Sequence, residues 1–301
     1  MSEQRRGLTY GVAAYLLWGL FPLYWPLLEP AGADEILAHR IVWSLVVVAA
    51  LLVVRRRWAW IRELGMRRLG LLTLAAVLVA GNWLTYIYGV NNEQIVQTSL
   101  GYFTNPLVTV LLGVFVLGER LRRLQWAAVA VATAAVGILT IDYGGVPWIA
   151  LMLAFSFAAY GLVKKKAGVG PVESLSVETA VLVGPAAAYL FLLSSRGDAT
   201  AGDSGPWHLL LLAGSGVVTA IPLLCFGAAA IRIPLSTLGL LQYLAPGIQL
   251  AIGVFVFSEP MPPSRLAGFA LVWVGLVLLS VDGLTSARRR RAPRGLAPEP
   301  V

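Results

Sequence analysis

Thr98, Tyr102, Asn105 and Thr109 are polar residues spaced three or four apart inside an otherwise apolar stretch. At 100° per residue they fall within about 60° of one another, a single polar stripe along an α-helix. Hydroxyl, phenol and amide groups so arranged can hydrogen-bond a polar solute, and none has the partner that would make it a nucleophile. A weaker stripe recurs 140 residues later at Leu238, Gln242, Ala245 and Gln249, with Tyr243 beside it. Asn82, Tyr86, Gly89 and Glu93 form a third at the same spacing. Lipid-facing helices do not need such stripes, so they predict a protein-lined or water-filled cavity. The structural alternative is hydrogen bonding between neighbouring helices.

Pro106 and Pro246 sit at equivalent places in the two related stretches. Each lacks an N–H and crowds the carbonyl one turn earlier, which predicts freed backbone acceptors near the middle of each span. Few ionisable residues lie inside the apolar runs: His39, Arg40 and Glu178. A charge costs about 2.5–3.5 kcal/mol at the centre of a membrane helix, so a retained one points to function unless it snorkels to water. The residues therefore divide into a candidate substrate-binding set (Asn82, Tyr86, Tyr102, Asn105, Gln242, Tyr243, Gln249) and a candidate gating or coupling set (His39, Arg40, Glu178, Pro106, Pro246). His39 and Glu178 correspond at an offset of 139 when Trp18 is matched to Phe157. Placed near opposite surfaces they would be roughly 15 Å apart, which argues against direct pairing of Arg40 with Glu178.

Other chemistries find little support. Cys225 is the single cysteine, His39 and His208 are far apart, and no HExxH motif occurs, so no metal or cofactor is expected. The phosphate-binding pattern GxxxxGK[ST] is absent, so any transport must draw on a gradient. An intramembrane enzyme would need convergent carboxylates or a Ser/His/Asp set, whereas the acidic residues lie mostly in loops.

The elements that must position these residues are membrane helices. The chain is 58% hydrophobic and 13% charged, with a mean hydropathy of +0.78, too little charge to cover a water-facing surface. Apolar runs give ten spans, at 8–28, 35–54, 70–90, 98–117, 124–141, 147–163, 174–194, 207–230, 235–257 and 265–283. The first is read as a retained helix rather than a signal peptide, because it exceeds a typical apolar leader core and carries Pro22 and Pro26. With the N-terminus inside, twenty of the 23 Lys and Arg residues fall on the cytoplasmic side, and both termini are cytoplasmic. The net charge of +8 is thus a topology signal, not a nucleic-acid footprint. The tail at 288–301 reads as a basic, disordered anchor at anionic lipid.

The two proline-bearing stretches are copies. NPLVTVLLGVFVLGE at 105–119 and APGIQLAIGVFVFSE at 245–259 share six of fifteen positions without a gap, including Pro106/Pro246, Gly113/Gly253 and Glu119/Glu259. Five spans per half is an odd number, so the second copy must enter the membrane from the other side. The fold class expected is an all-α membrane protein of ten transmembrane helices in two inverted five-helix repeats, at 1–145 and 146–287. Inverted repeats are the recurring construction of secondary transporters. Small residues at 127–137, and Gly268 and Gly275, suit close packing or a homodimer contact, away from the cavity.

LAHRIVWS at 37–44, GNWLTYIYGVN at 81–91, TSLGYFTNPLV at 98–108, GERL at 118–121, VET at 177–179 and LGLLQYLAP at 238–246 together resemble the RarD-type permeases. These are the chloramphenicol-sensitivity branch of the EamA proteins, in the drug/metabolite transporter superfamily. The resemblance covers nearly the whole chain apart from the tail. It implies a multi-pass transporter of the bacterial inner membrane, handling small metabolites, amino-acid-like solutes or drugs. The matching motif positions are Arg40, Asn82, Trp83, Tyr102, Asn105, Pro106, Glu178, Gln242 and Tyr243. The lysines at 164–166 stand where the family often has a basic pair and carry no assigned role. A passive channel or a non-transporting membrane sensor or scaffold is the alternative reading.

Overall fold

The computed structural model describes residues 2–56, 60–92, 95–143, 147–258 and 274. Among them the regular structure is helical: α1 (Glu3–Gly19), α2 (Ala33–Arg55), α3 (Trp60–Glu63), α4 (Met66–Asn91), α5 (Ile95–Leu117), α6 (Arg123–Tyr143), α7 (Trp148–Ala167), α8 (Pro171–Arg196), α9 (Thr200–Asp203), α10 (Gly205–Ala230), α11 (Leu235–Leu241) and α12 (Leu244–Phe255). Seven spans are long and apolar enough to cross a membrane, with α11 and α12 together forming one of them. Phe115, Phe191 and Phe255 stand 77%, 72% and 85% exposed. Large apolar side chains this bare on the outside of long helices are suited to lipid, not water. The tenth expected span, at 265–283, and the tail lie outside the described residues apart from Val274.

Two spans depart from the sequence expectation, both at prolines. The first was expected to run unbroken over 8–28, but α1 stops at Gly19 and the chain continues as two 3₁₀ turns, Phe21–Leu23 and Trp25–Leu28. Pro22 and Pro26 sit at the starts of these turns, where a missing N–H costs nothing but an α-helix cannot be carried through. The ninth is split between α11 and α12 at Gln242 and Tyr243. Pro246 cannot donate to the Gln242 carbonyl four residues earlier, and that carbonyl instead accepts from the Ala245 N–H at 3.3 Å. Pro106, its counterpart, lies within a continuous α5, so the two matched prolines differ in whether the helix around them is interrupted.

Between apolar helices in lipid, association rests on close packing and hydrogen bonds more than on escape from water. Helix α10 packs on α1, α2 and α8, and α7 packs on α4 and α5. The principal core draws Tyr15 from α1, Val48 from α2, Val79 from α4, Tyr160 from α7, Phe226 from α10 and Leu238 from α11. Where α2 crosses α10, a Cβ on Gly216 would come within 2.4 Å of the Trp43 carbonyl carbon. The Ser44 hydroxyl donates to the Gly216 carbonyl there at 3.1 Å. Gly216→Ala is therefore expected to destabilise the protein by about 1–3 kcal/mol or more. A Cβ on Gly184 would meet nothing within 4 Å, so Gly184→Ala is the control. Equal thermal unfolding of the two variants in detergent would show that α2 and α10 do not approach this closely.

Candidate functional site

A cavity of about 240 Å³ opens where the broken segments meet the intact helices. The end of α1 and the first 3₁₀ turns supply Tyr15, Trp18, Phe21 and Trp25, and α2 supplies Arg40. Helix α4 contributes Asn82, Trp83 and Tyr86, and α5 contributes Tyr102 and Asn105. Opposite them stand Phe157 of α7, and Gln242, Pro246 and Gln249 at the α11–α12 break. The broken ninth span thus turns two amides into the cavity. Tyr86 and Tyr102 keep 38% and 44% of their surface accessible although both line the cavity, and their rings meet edge to face at 5.9 Å.

The polar lining is only partly satisfied. Asn82 is committed, its amide nitrogen donating to the Leu153 carbonyl and the Ser156 hydroxyl, each at 2.9 Å. The Asn105 carbonyl oxygen accepts from Thr109 at 3.3 Å, and the Gln242 amide nitrogen reaches the Thr109 hydroxyl at a long 3.4 Å. Gln249 donates to the Trp18 carbonyl at 3.1 Å, capping one of the last acceptors of α1. Among the described residues Tyr15 Oη and Gln242 Oε1 are buried outside the hydrogen-bond geometry of any partner, although the two side chains lie near enough to interact, and a bound solute or water would satisfy them better. The Arg40 guanidinium carbon lies 4.9 Å from the ring centroids of both Trp25 and Trp83, and its Nε donates to the Thr219 hydroxyl at 2.8 Å.

Of the residues singled out in the sequence, Asn82, Tyr86, Tyr102, Asn105, Gln242, Gln249, Arg40 and Pro246 come together around this cavity. Tyr243 does not. Its ring is buried with Phe103, Leu107 and Val129, and its hydroxyl reaches the Phe103 carbonyl at 3.4 Å. His39, Glu178 and Pro106 are also absent from the lining. His39 is buried within electrostatic reach of Glu35 and His208. Glu35 holds the α9 start by accepting from the Thr200 N–H and hydroxyl at 2.9 and 3.0 Å. The third stripe is incomplete: Gly89 serves close packing against Thr98 and Ile149, and Glu93 lies outside the described residues. The small-residue helix α6 packs on α5 and adds no described residue to the cavity.

Two further groups gain roles that the sequence did not assign. Lys164 is buried, and its Nζ lies 2.7 Å from Glu178 Oε1, both side chains being 2% exposed. The same carboxylate accepts from Ser174 at 2.6 Å and Tyr160 at 2.9 Å. The neighbouring Lys165 donates to the Ala230 and Ile233 carbonyls at the end of α10. A basic run is therefore partly an interior fixture, and only the helical phase of Lys164 toward Glu178 could have revealed it. Glu119, the acid that closes the repeated motif, caps α11. Its oxygens accept from the Leu235 and Ser236 N–H groups at 2.7 and 2.8 Å. The chain reverses at Gly118, φ +67°, to allow this. A Cβ on Gly113 would lie 2.7 Å from the Glu119 carboxylate, which explains the glycine at that place in the motif.

Comparison with known proteins bears on the family and the fold. Residues 5–141 match the EamA-like transporter family. The chain is 59% identical over 293 residues to "Protein RarD" of Streptomyces exfoliatus, covering 97% of this chain and 93% of that protein. It is 41% identical over 290 residues to "Protein RarD" of Escherichia coli strain K12, covering 96% and 98%. Against "Chloramphenicol-sensitive protein RarD" of Pseudomonas aeruginosa the identity is 30% over 306 residues, covering 98% and 100%. One solved crystal structure superposes with a TM-score of 0.70 at 18% identity, covering 93% of this chain and 99% of that one. That likeness speaks for the fold alone.

Proposed function

The chain belongs to the EamA-like transporter family, as a RarD-type permease of the bacterial inner membrane, and from that premise we propose that it is a secondary transporter of a small metabolite, amino-acid-like solute or drug. The observation that carries this is a cavity lined from both sequence halves, with α5 facing the broken α11–α12 segment. Broken helices at the interface of two repeats are where secondary transporters place their substrate.

Two contacts support a two-fold relation between the halves. Trp18 and Phe157, matched in the repeat alignment, have ring centroids 5.8 Å apart. Tyr243 bonds Phe103, its counterpart 140 residues earlier. Repeat-equivalent residues touch when they lie at a pseudo-two-fold axis, and the odd span count makes the repeats inverted. With both termini cytoplasmic, as the Lys and Arg distribution requires, the Phe21 and Trp25 turns lie toward the outside and the Glu119 cap toward the cytoplasm. That cap ties the end of α5 to the start of α11 on the inner side. Alternating access follows from rocking one half against the other around Pro106 and the α11–α12 break, with energy drawn from a gradient.

The test is accumulation of labelled solutes in an efflux-deficient bacterium carrying the wild type, Asn105→Ala or Gln242→Ala at matched membrane abundance. An exporter lowers accumulation of its solute, and either variant is expected to lose at least about tenfold of that activity, because each leaves buried polar groups of the partner side unpaired. Flux that never saturates would indicate a channel, and unchanged variants would move the binding site elsewhere.

A further inference from the structure

We propose that the cavity is built for an organic anion, a small carboxylate with an aromatic or other apolar body, whose carboxylate is held by Arg40; this rests on the transporter reading and narrows its substrate class. Among the described residues Arg40 is the one charged side chain of the lining, with no aspartate or glutamate there to neutralise it. Ion pairs among the described residues join Arg6 and Arg232 to Glu3, and Lys164 to Glu178, leaving Arg40 without a carboxylate. A positive charge kept within a membrane span without a protein counter-ion calls for one from elsewhere.

The hydrogen-bond inventory points the same way. A guanidinium carries five N–H donors in a planar fork. Here one bonds Thr219, and no residue accepts from the two terminal nitrogens among those described. Trp25 and Trp83 offset part of the desolvation of the cation but take none of its N–H hydrogens. The unused pair of terminal nitrogens matches a carboxylate, which accepts two parallel bonds. A cationic solute would meet repulsion from Arg40 and no compensating acid. Beyond the charge, Trp18, Phe21 and Phe157 line the cavity with aromatic surface. Gln242 Oε1, buried and unpartnered, offers an acceptor for a donor elsewhere on the solute.

The test uses the full-length protein, purified in detergent and stripped of lipid. Its tryptophan fluorescence and unfolding temperature are followed on titration with 3-phenylpropanoate, 3-phenylpropanamide and 2-phenylethylamine. The three share a ring and differ in head-group charge. The acid is expected to bind about ten- to hundredfold more tightly than the amide, and the amine more weakly than either. Arg40→Gln should erase the preference for acid over amide, and Arg40→Lys, which keeps the charge but loses the fork, should restore part of it. If Arg40→Gln does not fold, the wild-type ratio and Arg40→Lys decide. Equal binding of acid and amide, tightest binding of the amine, binding of none, or stabilisation by phosphatidylglycerol alone would each overturn the proposal. Counterflow of the same compounds in proteoliposomes separates it from the transporter reading. Uptake of the amide or amine without the acid sinks only the anion, and acid binding without uptake of any compound sinks only transport.

Discussion

Replacing Lys164 with alanine is expected to lower the stability of the folded protein by about 3–5 kcal/mol, the cost of leaving a buried charge without its partner. Glu178 would retain Tyr160 and Ser174 as donors but lose the only cation beside it among the described residues. The pair ties α7 to α8, and Gly227 of α10 leaves the space for it, since a Cβ there would stand 3.2 Å from Lys164 Cε. Removing both charges, as in Lys164→Met with Glu178→Gln, should recover most of the loss, because neither group is then stranded. Unfolding in a denaturing detergent measures the energies, and a double-mutant cycle gives the coupling between them. An alanine variant as stable as the wild type would show that the pair is solvated. The same double variant decides what Glu178 does in transport. A structural lock predicts that the refolded neutral pair still moves solute. A proton-coupling role predicts stable protein that no longer responds to an imposed pH gradient.

Glu119→Ala is expected to loosen the tie between the end of α5 and the start of α11. It removes two charge-assisted bonds to the Leu235 and Ser236 N–H groups and a favourable charge at the start of α11. If the cap forms in only one of the two access states proposed above, a loss of about 2–3 kcal/mol would shift the balance between them by roughly 30- to 150-fold. The readout is a cysteine placed at Asn105, in a background with Cys225 replaced, labelled by an impermeant maleimide from each side of the membrane. Labelling from the cytoplasmic side should rise steeply with Glu119→Ala and much less with Glu119→Gln, which keeps an acceptor. Unchanged labelling would mean that the cap stabilises α11 without taking part in gating.

Sequence and tertiary structure divided the work on this protein at a definable line. Span positions, the polar stripe on α5 and the 140-residue repeat are properties of composition and period, so they are legible residue by residue. Tyr102 and Asn105 reach the cavity by the phase of α5, whereas Gln242 and Gln249 reach it from either side of the α11–α12 break. Tyr243 enters the candidate set as the neighbour of Gln242 and as a matching motif position, and adjacency along the chain does not show that its ring packs with Phe103 and Val129 instead. The two turns at Phe21 and Trp25 were likewise hidden inside a run apolar enough to pass for a helix. Neither Lys164 nor Trp25 announced a role, since a lysine beside two others looks like a solvated end and a tryptophan in an apolar run looks like core.

What the sequence by itself determined is that this is a helical membrane protein whose sequence carries a 140-residue repeat, because hydrocarbon permits only helices or closed barrels, whose backbone polar groups are satisfied internally. What only the tertiary structure decided is pairing: Arg40 with Trp25, Trp83 and Thr219, Lys164 with Glu178, and Glu119 with the start of α11. Those partners are brought together by helix crossings, and a crossing depends on glycine-sized gaps and broken spans that act across the fold rather than along the chain.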